Sequence, residues 1–141
     1  MKKVDHLGIA VQSIKESLPF YTEMLALTFI REEIITNQGV KVAFIDAGNV
    51  KLELLEPLTG ESPIAKFLSK KGEGIHHIAF EVEGIENRID ELKEKGLTFI
   101  SDKPKKGAGG ADVAFLHPKQ AHGVLFEVCE HTREKGESNH E

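Results

Sequence analysis

The heptapeptide DHLGIAV, residues Asp5–Val11, has a counterpart in HHIAFEV, His76–Val82, at an offset of 71 residues. Ile14 and Ile85 match at the same offset, and LTFI at Leu27–Ile30 recurs letter for letter at Leu97–Ile100, one residue closer. KLELLE, Lys51–Glu56, lies over VLFEVCE through Glu53 and Glu127, at an offset of 74 after loop changes. Such a duplication constrains a chain of 141 residues strongly. Each half must form the same order of elements, and a single unit of this kind cannot bury its apolar face alone.

Lys3–Ala10 reads as a strand, and Ser13–Met24 as a helix with apolar residues at Ile14, Leu18, Tyr21 and Leu25 and a capping box of Ser13 and Glu16. Pro19 removes a backbone donor inside that helix and predicts a kink. Strands are expected over Leu27–Ile35, Val40–Ala47 and Val50–Leu55, with turns at Gly39 and at Gly48-Asn49. After EPLTGESP comes a short helix near Ile64–Lys70. The second half repeats the order: strand Ile75–Val82, a helix marked by Ile85, Ile89 and Leu92 and ended by Gly96, then strands near Leu97–Ile100, Asp112–Leu116 and Val124–Cys129. The expected fold class is α+β, built from two βαβββ modules, about residues 1–60 and 72–131, in one domain over 1–131. The polar tail 132–141 has no period and is expected to be disordered.

A net charge of −5, with no basic stripe, argues against nucleic acid as a partner. No apolar run is long enough for a membrane span, and MKKVDHLG lacks a signal-peptide core, so a cytoplasmic protein is expected. The single cysteine, Cys129, suits a reducing compartment and is expected to be a small buried apolar residue.

The duplication also selects residues. His77 lies over His6 and Glu127 over Glu53, so each half offers a histidine early in its first strand and a glutamate in its last. Any one of them alone has an ordinary explanation, as a packed histidine or a solvated strand carboxylate. Two modules related by a pseudo-twofold axis would bring all four to one point. Inward carboxylates need a cation, and two neutral imidazoles with two carboxylates suit Zn2+, Co2+, Mn2+, Ni2+ or Fe2+. Strand alternation turns neighbouring side chains to opposite faces, so His76 is expected to point outward or to stand behind the ligand His77. The glycine-rich run Gly107–Gly110 could approach a phosphate or thioester through its backbone.

Paired βαβββ modules with His, Glu, His and Glu at these places resemble the vicinal oxygen chelate superfamily. Within it, DHLGIAV, KLELLEP, ESPIAKFLSKKGEGIHHIAFEV, GAGGADVAFLHPK and HGVLFEV are similar to the methylmalonyl-CoA epimerases, over about Lys3 to Glu130. The resemblance implies a partly closed β-cup, a homodimer, and one divalent ion per chain on His6, Glu53, His77 and Glu127. Cobalt is the first choice of ion, with zinc, manganese and nickel as alternatives. It also implies an acyl-CoA substrate whose two C2 epimers interconvert through proton removal and return by way of a metal-stabilised enediolate. The sequence departs from some epimerases in two places. Glu53 stands where several carry Gln, and Val42 stands where some carry a glutamate proposed as a proton-transfer base.

With no acid at 42, Glu127 and Glu53 are the expected bases for the two faces of C2. Lys66, His117, Lys119, Gly107, Gly109 and Gly110 are weaker candidates for the CoA portion, as are Lys105 and Lys106. The alternatives are a glyoxalase I-type lactoylglutathione lyase, slightly favoured by a Glu at 53, a ring-cleaving dioxygenase, or a non-catalytic drug-binding module of the same fold.

Overall fold

The computed structural model describes residues 1–131; the expected disordered tail lies outside them. Eight strands form one sheet: β1 (Lys3–Ala10), β2 (Thr28–Ile35), β3 (Val40–Asp46), β4 (Lys51–Pro57), β5 (Gly74–Glu81), β6 (Lys105–Lys106), β7 (Asp112–Phe115) and β8 (Phe126–Glu130). Among the described residues three α-helices accompany it: α1 (Ile14–Pro19), α2 (Pro63–Lys71) and α3 (Ile85–Glu94). The strand order is β2-β3-β4-β1-β5-β8-β7-β6. It reads the same from both ends once β1–β4 are exchanged for β5–β8. β1 runs parallel to β4 as β5 does to β8, and β1 meets β5 antiparallel at the centre. That central pairing is the pseudo-twofold relation expected from the duplication, and the α+β class of two paired βαβββ modules holds.

One sheet face packs outward. Val11, Ile14, Ala43, Ile45 and Leu54 form a core beneath α1, and Val82, Ile85, Ile89, Leu116 and Val128 form its counterpart beneath α3. Each module also ties its helix start to its last strand. Glu56 accepts from the Ile14 N–H at 2.7 Å, and Glu130 from the Gly84 and Ile85 N–H groups at 2.8 and 3.0 Å. The other face curls into a cup whose ends meet through the glycine-rich loop. Gly109 N–H donates to Glu33 at 2.9 Å, and Asn37 donates to the Lys106 carbonyl at 3.2 Å.

Two expectations need correction. Leu97–Ile100 is not a strand; only Phe99 forms an isolated bridge to Leu116, and the outer strand of the second module is the two-residue β6. The first LTFI continues directly into Arg31–Ile35, which pair along β3, whereas the second runs into Ser101–Pro104, where proline has no N–H for a ladder. The first helix begins as expected, with Ser13 Oγ accepting from Glu16 N–H at 3.2 Å, but α1 ends at Pro19 and continues as a π-helical turn over Phe20–Met24. The missing donor of Pro19 accounts for the change of winding. Among the described residues no helix is long and apolar enough to cross a membrane.

Candidate metal centre and active site

Two cross-strand rows build the centre. In one, Glu53 on β4 and His77 on β5 flank Gly8 on β1; in the other, His6 on β1 and Glu127 on β8 flank Ala79 on β5. A small residue between each carboxylate and histidine leaves room for the long side chains to lean together. The fit at Gly8 is tight: a Cβ there would meet His77 Nδ1 at 2.5 Å and Nε2 at 2.8 Å. Phe115, the neighbour of Glu127 on β7, closes over His77 edge to face at 5.5 Å between ring centres.

His6, His77 and Glu127 converge. The two Nε2 atoms are 3.2 Å apart, and Glu127 Oε1 lies 3.1 Å from His77 Nε2 and 3.7 Å from His6 Nε2. Adjacent ligands on an ion about 2.1 Å away stand about 3.0–3.4 Å from each other; two of the three separations lie in that range, and the His6–Glu127 separation is slightly longer. The remaining ring nitrogens are also occupied. His6 Nδ1 donates to Asp5 Oδ2 at 2.7 Å, so the ring in its neutral form has its lone pair on Nε2, and His77 Nδ1 is 3.0 Å from His76 Nδ1. Two buried imidazole edges and a carboxylate aimed at one point call for positive charge, from a proton on His6 in the metal-free chain or from an ion held between them. This trio could hold a metal ion.

Glu53 is buried in the same cavity but stands beside the trio, with Oε2 3.4 Å from His6 Nδ1. The two carboxylates differ in acidity. Burial raises Glu53 above the ordinary carboxylate range, and the charge of Glu127 adds to this against the pull of His6. Burial would raise Glu127 too, but hydrogen bonds from His6 and His77 hold it at about 2. For His6, burial favours the neutral ring, yet the Glu53 charge and the Asp5 hydrogen bond raise it to about 10 in the metal-free chain. His76 is lowered to about 4, chiefly by burial and then by His77.

His76 takes the second of its two expected places, behind His77, but a bulge and not plain alternation puts it there. Val4 pairs with Phe80 and His6 with Ala79, so Asp5 is an extra residue on β1; Gly8 pairs with His77 and Ile9 with Ile75, so His76 is an extra residue on β5. A bulge breaks the two-residue period. His76 therefore lies on the cavity side beside His77, its ring 5.0 Å from that of Phe67, and not outward.

The cavity above the centre has a volume of about 490 Å³ and apolar walls that include Val40, Val42, Leu55 and Phe115. Gly107 and Lys105 line it; Lys66, Gly109, Gly110, His117 and Lys119 do not. Gly109 spends its N–H on Glu33, and His117 accepts from Lys119 N–H at 3.3 Å. Cys129 is fully buried, and burial followed by the Asp5 and Glu127 charges pushes its thiol far up. Sequence reasoning passed over Gly8, Asp5 and Phe115. The repeat held a signal for the last of these, because VAF occurs at Val42–Phe44 and again at Val113–Phe115, at the same offset of 71.

The family model of the glyoxalase/bleomycin resistance protein/dioxygenase superfamily matches residues 5–115. An ethylmalonyl-CoA/methylmalonyl-CoA epimerase of Cereibacter sphaeroides is 42% identical over 128 residues, covering 89% of this chain and 96% of that protein. The chain belongs to this superfamily, in its methylmalonyl-CoA epimerase family. A hypothetical protein from Bacillus halodurans superposes with a TM-score of 0.91 at 57% identity, over 96% of this chain and 98% of that one. A substituted Streptomyces coelicolor methylmalonyl-CoA epimerase, in complex with 2-nitronate-propionyl-CoA, does so with a TM-score of 0.89 at 33% identity, over 94% and 99%. The epimerase resemblance of the sequence thus extends to the fold.

Proposed function

We propose that this chain is a metal-dependent epimerase that interconverts the (2R) and (2S) forms of methylmalonyl-CoA. The reading is carried by the convergence of His6, His77 and Glu127 on the floor of an apolar cavity, in a chain matching a named epimerase along nearly its whole length. A divalent ion held by His6, His77 and Glu127, with Glu53 as fourth ligand, would supply positive charge where the thioester oxygen becomes anionic as C2 loses its proton. Co2+ is the proposed ion, with Zn2+, Mn2+ or Ni2+ as alternatives, for a mixed nitrogen and oxygen set.

The chain's own groups do the rest. Glu53, raised by burial, is a ready proton acceptor on one face of C2. Glu127, on the side of the two histidines, would serve the other face of C2 once its contacts loosen. Val42, 1% exposed, puts an apolar wall where an acid would otherwise compete, and it helps Leu55 exclude water from the reacting carbon. The CoA portion would leave the cavity past Lys105 and Gly107. A cytoplasmic homodimer completes the reading.

The test is wash-in of deuterium at C2 of methylmalonyl-CoA in D2O, run beside an assay with methylglyoxal and glutathione and with metal analysis of the purified protein. Exchange at C2 without lactoylglutathione formation is expected. The reverse pattern would make the protein a glyoxalase I, and activity in neither assay would remove both enzymatic readings.

A further inference from the structure

Both bulges fall at equivalent places. Asp5 and His76 are 71 residues apart, each immediately precedes a histidine of the centre, and each is the unpaired residue of its strand. In regular strands both side chains would turn away from that histidine's face. The extra residue swings each one back onto the Nδ1 of its neighbour, at 2.7 Å for Asp5–His6 and 3.0 Å for His76–His77. The two residues are themselves held. Asp5 Oδ1 lies 2.8 Å from His131 Nε2, and the His76 ring sits edge to face against Phe67 at 5.0 Å.

In the neutral imidazole that a metal ion takes, a ring nitrogen that donates a proton leaves the opposite nitrogen bare. Asp5 can only accept, so His6 carries its proton on Nδ1 and presents Nε2. At the other bulge, His77 presents Nε2 when its Nδ1–H donates to His76 Nδ1. We propose that Asp5 and His76 are paired positioning residues that hold His6 and His77 in the Nδ1–H form, so that both Nε2 lone pairs meet at the metal centre. The inference rests on the metal reading of that centre. The pair is equivalent in place but not in chemistry. A carboxylate partner strengthens the donor power of His6 more than a neutral imidazole strengthens that of His77. The two ligands are therefore unequal although the modules repeat.

The experiment titrates metal-free, full-length protein with Co2+ against a chromophoric chelator and follows the ligand-field spectrum, with circular dichroism as the check on folding. His76→Phe keeps a ring against Phe67 and removes the acceptor; Asp5→Leu removes the carboxylate. Each should weaken Co2+ about 10- to 100-fold, with the larger loss at Asp5. His76→Asn and Asp5→Asn, which restore an acceptor, should recover part of it. Wild-type affinity in both His76→Phe and Asp5→Leu overturns the proposal while leaving the metal reading intact. Failure of the unaltered protein to bind any Co2+ overturns the metal reading, and the proposal with it. A second readout needs no variant. In Zn2+-loaded protein with 15N-labelled histidine, both rings must carry their proton on Nδ1, and an Nε2–H ring at either position overturns the proposal.

Discussion

Gly8→Ala is the sharpest test of how the centre is assembled. Gly8 carries no positive φ, so its lack of a side chain serves space and not backbone conformation. An alanine Cβ would stand 2.5 Å from His77 Nδ1 and 2.8 Å from Nε2, where ordinary contact begins at 3.4 Å. Nδ1 must therefore retreat by about 0.9 Å, the difference between 3.4 and 2.5 Å, and Cε1, the ring atom nearest the added Cβ, by more. It cannot slide freely, because Phe115 and His76 hold it from other sides. Overpacking of this kind costs about 1–3 kcal/mol. Alanine recovers about 0.4–1 kcal/mol by restricting the unfolded chain. With the middle of each range, the net loss is about 1.3 kcal/mol, or roughly 3–5 °C in Tm for a domain of this size. Function should suffer more, since about 1 Å of misplacement in such a site can cost on the order of 100-fold. Metal affinity by chelator competition, C2 exchange and apo-protein Tm measure the three effects. In Gly8→Ala/His77→Ala the clash is gone, so its Tm should be no lower than that of His77→Ala alone. Wild-type metal affinity and turnover in Gly8→Ala would refute the crowding of His77 against Gly8 as the reason for the glycine.

Glu53→Gln should cut C2 exchange by at least about 100-fold with metal content spared, and near-normal turnover would remove Glu53 from the base role. The metal-free chain should lose stability as pH rises from about 6.5 to about 10. His6 binds its proton more tightly folded than unfolded, so its contribution is complete below 6.5 and lost through the folded value. Added metal takes the neutral ring and should reverse that trend in a series of Tm measurements; a flat apo profile would contradict it. Cys129 should resist thiol reagents at pH 8 in the native protein and react only on unfolding, because burial both hides it and disfavours its thiolate. Rapid native labelling would contradict its placement.

The repeat made much of this protein legible. Periodicities of 2 and 3.6 located β1, β3, β4 and α3, and the offset of 71 placed His6 with His77 before any coordinates. The pairing of Glu53 with Glu127 followed from the same symmetry, since each ends opposite the small residue of its own row, Gly8 or Ala79. The second LTFI shows where likeness of letters fails, because pairing is decided by the residues that follow, Ser101–Pro104, and by which partner edge is within reach. Local pattern and duplication are properties of the chain alone, so sequence by itself determined the two modules and the four inward side chains. Register belongs to pairs of strands. Only the antiparallel contact of β1 with β5 created the extra residues Asp5 and His76, turned them onto His6 and His77, and left Glu53 beside the trio that converges. A bulge exists only relative to the partner strand, and so the neighbours of the two central histidines were decided by tertiary structure.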